Sequence, residues 1–225
     1  ALVARAIGAK NGQDAERMAK QSLVLVVLVS IGIGLVGFFL SDSIVRLTGA
    51  TDDVAIIGGG FLRIISTFAI VLGVMLIGGG TLRGSGDTRT PMVITGIINV
   101  INIVLDYLLI FGNFGFPQLG AIGSAVATTL ARAVGAILIL YVLFKRGSVL
   151  KLGWRSGWGL HRDAIARILN IGGPSAMEQF IMQLGLLVFS VLAINLGTND
   201  LAAQQIAFNI SGFSFLPAFA FGVAA

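Results

Sequence analysis

The residues best placed to do chemistry in this chain are polar groups inside long apolar runs. Asn99, Asn102 and Asp106 follow one another at helical spacing, so two amides and a carboxylate share one helix face. An ionisable group in hydrocarbon is expensive, and it turns to a cavity or a partner rather than to lipid. A carboxylate in that setting can take up a proton or bind sodium. Its other possible role is an interhelical hydrogen-bond clamp, worth about 1 kcal/mol. Glu178 is the second candidate. It follows Pro174 by four residues, and Gly172, Gly173 and Pro174 together allow a break or kink at a helix start. Glu178 then belongs either to a broken-helix cation site, with Gln179 and Gln183 beside it, or to a first turn whose dipole an acid complements.

The remaining polar residues in apolar surroundings have more ordinary readings. Arg63 sits near a membrane interface, where snorkelling accounts for it. Arg132 is deeper and calls for a partner. Thr128 and Thr129 are backbone-bonded helix residues or ligands, and Gln204, Gln205 and Asn209 make a further polar patch. No nucleophile–base set, phosphate-cradling loop or metal spacing stands out. There is no cysteine and His161 is the lone histidine. Gly84, Ser85, Gly86 and Asp87 form a turn before Pro91, with no strand ahead of them to make a nucleotide loop. An enzyme reading has almost no residues to work with, and no cofactor is expected.

The elements that must position these groups follow from composition. Hydrophobic residues make up 56% and charged residues 11%, against about 25% charged in an ordinary soluble domain. So few charges cannot cover a water-facing surface, and the mean hydropathy of +0.96 makes lipid the solvent. A helix needs about 20 mostly apolar residues to cross a membrane. Five to six runs qualify: 22–40, 54–80, 92–111, 121–144, 168–196 and one starting near Leu201. Residues 1–8 end an earlier helix. Barrel strands are excluded, because these runs are about twice the ten residues of such a strand and do not alternate. The chain has no leader and both its ends fall in apolar helices, so it reads as an internal piece of a longer protein.

Lys and Arg fall in every second loop: in residues 5–20, in 81–91 and in 145–167. By the positive-inside rule these loops are cytoplasmic. The net charge of +5 is then topology, with no nucleic acid implied. The loop 145–167, with Trp154 and Trp158 among its basic residues, reads as a linker between two helix bundles, anchored at the headgroup interface. Glycine is abundant inside the spans, at positions 32, 34, 37, 58–60 and 78–80, where small residues let backbones approach closely.

The stretch TLRGSGDTRTPM (residues 81–92) closely resembles the loop signature of the multidrug and toxic compound extrusion (MATE) family. LVARAIGAKNGQDA (2–15), LDYLLIFG (105–112), LGAIGSAVATTLAR (119–132), GGPSAMEQ (172–179) and residues 202–225 fall in that family's order. The resemblance covers essentially the whole chain, from the end of its helix two to helix eight. It implies an all-α, polytopic transmembrane bundle of twelve helices in two pseudosymmetric six-helix lobes. Residues 1–144 would belong to the amino-terminal lobe, 145–167 to the interlobe loop and 168–225 to the start of the carboxy-terminal lobe.

The implied function is secondary active transport, a monomeric inner-membrane antiporter exporting organic or cationic amphipathic compounds by alternating access. The coupling ion would be H+ or Na+. A flippase for lipid-linked oligosaccharides of the same superfamily is the rival, and a membrane-embedded enzyme a more distant one. The family's Asn–Asp pair on helix five matches Asn102 and Asp106, and Thr128 lies near its helix-six contributor. Many members place a glutamate where this chain has Met182. Glu178 is one turn earlier on the same face and would take its place. Members often have His where this chain has Gln204. The expected cation site is thus Asp106, Asn102, Thr128 and Glu178, with Na+ at Asp106 if sodium is the ion. Asn99, Gln204, Asn209 and Met182 are expected to face the substrate cavity.

Overall fold

The computed structural model describes residues 1–47, 51–145, 150, 152–153, 158–194, 206–213, 215–217 and 221. Among them, regular structure is helical throughout: α1 (Leu2–Gly8), α2 (Gly12–Leu47), α3 (Asp52–Thr67), α4 (Ala69–Gly84), α5 (Arg89–Phe111), a short turn of 3-10 helix (Asn113–Gly115), α6 (Gly120–Phe144) and α7 (Arg162–Ile194). The expected all-α bundle is therefore observed. In lipid the backbone must bond to itself, and the helix does so within one segment. Among the described residues three helices, α2, α5 and α6, are long and apolar enough to cross a membrane, and α3 with α4 makes a fourth as a bent pair. The chain divides into two compact units, Ala1–Gly172 and Gly173–Ala225.

Two expectations need correction. The run 54–80 is not one tilted span but two helices meeting at 48°. The bend falls at Phe68, directly after Thr67, whose hydroxyl donates to the Arg63 carbonyl at 2.7 Å. Such back-bonding to residue i−4 competes with the helical ladder, although Thr95 and Thr129 make the same bond within unbroken helices. The second correction concerns Glu178. α7 begins at Arg162 and stays helical through Pro174, so its first-turn acid is Asp163 and Glu178 lies several turns inside. The dipole-complementing reading of Glu178 falls with that.

Packing in the first unit depends on close approach at small residues. Cβ atoms added at Gly37, Gly59, Gly78 or Gly135 would overlap Ser66, Asp42, Ile139 and Ile98 respectively. At Gly123 on α6, a Cβ would lie 2.5 Å from the Leu109 carbonyl oxygen of α5, a backbone atom that cannot swing away. Other glycines of the same helices, Gly32, Gly80 and Gly96, have open space around them. Leu82, Ile94, Ile98, Ile139 and Leu143 fill the core between these contacts.

The basic loops gather at one end of this unit. The Gly84 end of α4 lies against Val3 and Ala4 of α1. Asp14 of α2 reaches Arg167 of α7 at 3.8 Å. Gly153 and residues 158–161 lie against α2: Glu16 accepts the Gly153 amide at 2.7 Å and bonds Lys20 at 2.7 Å. Trp158 was expected at the headgroup interface. It is half-buried, stacked on Phe144 and lying 5.7 Å from the Lys20 ammonium. Trp154 is outside the described residues. At the opposite end the acids and arginines are paired. Arg63 does not simply snorkel, because it bonds Asp42 at 2.7 Å and Ser41 at 3.3 Å. Arg46 pairs with Asp52 at 2.6 Å.

The turn between α4 and α5 follows its sequence closely. Gly86 adopts the left-handed conformation (φ 95°) that favours glycine. The Asp87 carboxylate accepts the Thr90 amide at 3.0 Å and so caps α5. Bonds from Thr90, first its side chain and then its amide, hold the Asp87 carboxyl below the usual aspartate range.

Two outcomes follow for the detergent-solubilised protein. Gly123→Ala should lower the thermal unfolding midpoint, since overpacking costs about 1–3 kcal/mol. Gly96→Ala should leave the midpoint unchanged or raise it through better helix propensity. Asp87→Ala should destabilise by about 1 kcal/mol at neutral pH, the size of a lost cap. Because the folded value is depressed, that contribution exists above the ordinary aspartate range. It vanishes as pH falls through the folded value, so melting curves of the two proteins should converge in strong acid.

Candidate functional site

α5 and α6 pack along each other, and the candidate site lies on this pair. α5 starts behind the Asp87 cap and ends at Gly112, whose left-handed φ of 71° closes the helix by a bond from its amide to the Leu108 carbonyl. The chain returns to α6 within a few residues, and the Leu119 amide bonds the Leu109 carbonyl at 2.9 Å. These two tethers, with the Gly123 contact, set the register of α6 against the last turns of α5. That register decides which α6 side chain meets Asn102.

It is Thr128. The Asn102 amide nitrogen donates to the Thr128 hydroxyl at 3.4 Å, a long bond between two half-buried groups. The neighbouring Thr129 hydroxyl instead bonds its own helix, donating to Ala125 at 2.8 Å. Of the two threonines, then, one is backbone-bonded and the other faces the polar stripe. Asp106 lies one turn beyond Asn102. Its Oδ1 is buried and has no hydrogen-bond partner among the described residues. A buried carboxylate oxygen without a partner forfeits the solvation it had in water and recovers nothing from the protein. Such an atom suits a proton or a bound cation. Asn99 continues the stripe one turn earlier, exposed on α5.

The other candidate residues lie elsewhere. Glu178 and Met182 are exposed, one helical turn apart on the part of α7 that belongs to the second unit. Asn209 is exposed on the helical stretch 206–213 of that unit. Gln204 and Gln205 are outside the described residues. The structure thus brings Asn102, Thr128 and Asp106 onto one pair of helices, and describes Glu178 in a separate unit. Among the described residues no cluster of His, Cys, Asp or Glu has the makings of a metal site.

One polar residue of consequence went unread in the sequence. Gln21, at the amino end of α2, is fully buried, and both ends of its amide bond backbone groups near residue 160. Next to Lys20 at the edge of an apolar run, it looks like any interfacial amide. Its partners are 138 and 140 positions away, and no local pattern points to them.

Comparison with known proteins gives consistent relatives. The MatE family model matches residues 1–108 and 174–225. A protein of Thermotoga maritima named as a probable multidrug resistance protein NorM is 36% identical over 99% of this chain and 47% of its own length. One of Bacillus cereus with the same name is 30% identical over 96% of this chain and 48% of that protein. Among solved structures, a multidrug resistance MATE family transporter of the MOP superfamily in an inward-facing conformation superposes with a TM-score of 0.85 at 28% identity. It covers 96% of this chain and 48% of the transporter. A MOP superfamily transporter of Pyrococcus furiosus, whose binding pocket is described as reversed in polarity, has the same TM-score and identity, over 96% of this chain and 47% of its own. The chain spans about half the length of the relatives it matches.

The two membrane-region carboxylates should respond oppositely to substitution. Asp42→Asn removes the partner of Arg63 and should lower the thermal midpoint, by about 0.2–1 kcal/mol for so exposed a pair. Asp106→Asn removes a carboxylate whose Oδ1 has no partner, and the midpoint should hold or rise. Melting both variants in detergent at neutral pH checks the contrast.

Proposed function

The chain belongs to the MatE family, and from that premise we propose that the whole protein is a cation-coupled antiporter that exports small organic or cationic amphipathic compounds. The reading is supported by what the relatives are named for and by the chemistry of the α5–α6 stripe. The observation that carries it is the buried, unpartnered Oδ1 of Asp106 beside the Asn102–Thr128 contact. A transporter driven by an ion gradient needs a group that gains from binding the ion and can release it. A carboxylate already satisfied by an arginine, like Asp42, has little to gain.

Each group has a role in this scheme. Asp106 takes the proton or sodium ion, and Asn102 and Thr128 supply neutral oxygens close by. Binding neutralises the stripe and so changes how readily it can be enclosed in an apolar setting. Glu178 is a second cation ligand in the other unit, with Met182, Asn99, Asn209 and Gln204 facing the substrate. The protein works by alternating access as a monomer in the cytoplasmic membrane. Loops 5–20, 81–91 and 145–167 face the cytoplasm, in keeping with the gathering of the basic residues at one end.

The test uses the whole protein in proteoliposomes, following a fluorescent organic cation under imposed proton or sodium gradients. Gradient-driven efflux is expected in the wild type and loss of it in Asp106→Asn, with the variant's melting curve intact. Efflux that persists in Asp106→Asn would remove Asp106 from the coupling site. Failure of the wild type to move any organic cation, under either gradient, would favour the lipid-linked oligosaccharide flippase.

A further inference from the structure

We propose that Gln21 is a positioning residue that mounts the start of α7 on α2, so that residues 159–161, which lead directly into α7, are a fixed part of the first unit. Its amide nitrogen donates to the Gly159 carbonyl at 2.7 Å, and its amide oxygen accepts the His161 backbone amide at 3.1 Å. His161 is the residue immediately before α7, and its carbonyl accepts the first helical bond, from the Ile165 amide at 3.0 Å. The His161 ring lies 2.6 Å from the same Gly159 carbonyl through Nδ1. Gln21 therefore holds the residue from which α7 grows. Two further contacts brace the mount from α2: Glu16 to the Gly153 amide and Asp14 to Arg167.

The chemistry favours a mount over incidental packing. A fully buried amide must find partners for both its ends or lose the solvation it had in water. Here both partners are backbone groups of a segment that would otherwise be a plain connector, and they fix that segment's position and its direction. A displacement of α2 is then passed to the amino end of α7 through two hydrogen bonds. The structural part of the inference stands on this geometry. Only its effect on turnover rests on the transport reading.

The test compares the whole wild-type protein with Gln21→Met, which keeps the volume and removes both bonds, and with Gln21→Glu, which keeps an acceptor for the His161 amide. Amide hydrogen exchange is followed along the chain, and efflux is measured against substrate concentration. In Gln21→Met the His161 and Ile165 amides should exchange roughly tenfold faster, with α5 and α6 unchanged. Gln21→Glu should restore protection at His161. Maximal efflux should fall in Gln21→Met while the half-saturating concentration stays put. Unchanged exchange at His161 would overturn the mount, and so would acceleration spread evenly over α5 and α6. Faster local exchange with normal maximal efflux would overturn the positioning role. If exchange responds as expected but the wild type transports nothing, the mount stands and the transport reading fails alone.

Discussion

Lipid tails are as apolar as leucine, so hydrocarbon supplies no force that drives helices together. Everything else in the first unit depends on how that lack is met. It is met by glycines that let a neighbouring helix, by backbone or side chain, come close. Gly123 against the Leu109 carbonyl, Gly37 against Ser66 and Gly78 against Ile139 bring helices to distances that a methyl group would forbid. Close approach makes dispersion contacts dense and fixes register at the same time. The α5–α6 register produced in this way sets Thr128 opposite Asn102, so the candidate site is downstream of the packing.

The same solvent sorts the charges. Most lie at the two ends of the first unit, and those in the spans or at their borders have partners or stand out for lacking one. Lys20 is enclosed by Glu16 and Trp158, and Arg63 bonds Asp42 and Ser41. Asp106 keeps one oxygen buried and unmatched. Native proteins leave few such atoms, and Arg17 Nε is another in this chain. Asp42 is exposed and paired with Arg63, whereas Asp106 holds one oxygen buried and unmatched, and that contrast separates a structural group from a candidate ion ligand.

Much of this was legible in the residues because membrane chemistry leaves coarse marks. Charge-free runs marked α5 and α6 close to their observed limits and only the middle of α2, which runs from Gly12 to Leu47, and the helical spacing of Asn102 and Asp106 marked the stripe. The bend at Phe68 was not legible, since Ser66, Thr67 and Phe68 suit a straight helix. Arg63 was read as snorkelling because its partner Asp42 is 21 residues away on another helix. The start of α7 was placed too late: residues 162–167 carry three charges, and hydropathy reports where a helix meets lipid, not where it begins. Gln21 shows the general limit. An amide's role depends on what it meets, and that is decided by the fold.

α2 carries one more consequence. Its 36 residues make a rod about 54 Å long, of which the charge-free part, residues 22–40, covers about 28 Å. Helices of this kind usually adapt to thicker or thinner bilayers by letting the flanking charged side chains slide along the surface. Here the amino flank has little freedom to slide, because the Lys20 ammonium is buried between Glu16 and Trp158. The other flank keeps its freedom, since Asp42 and Arg63 form an exposed pair that can shift with the headgroups. Adjustment to bilayer thickness therefore falls on the carboxyl-terminal flank of α2 and on the tilt of the helix.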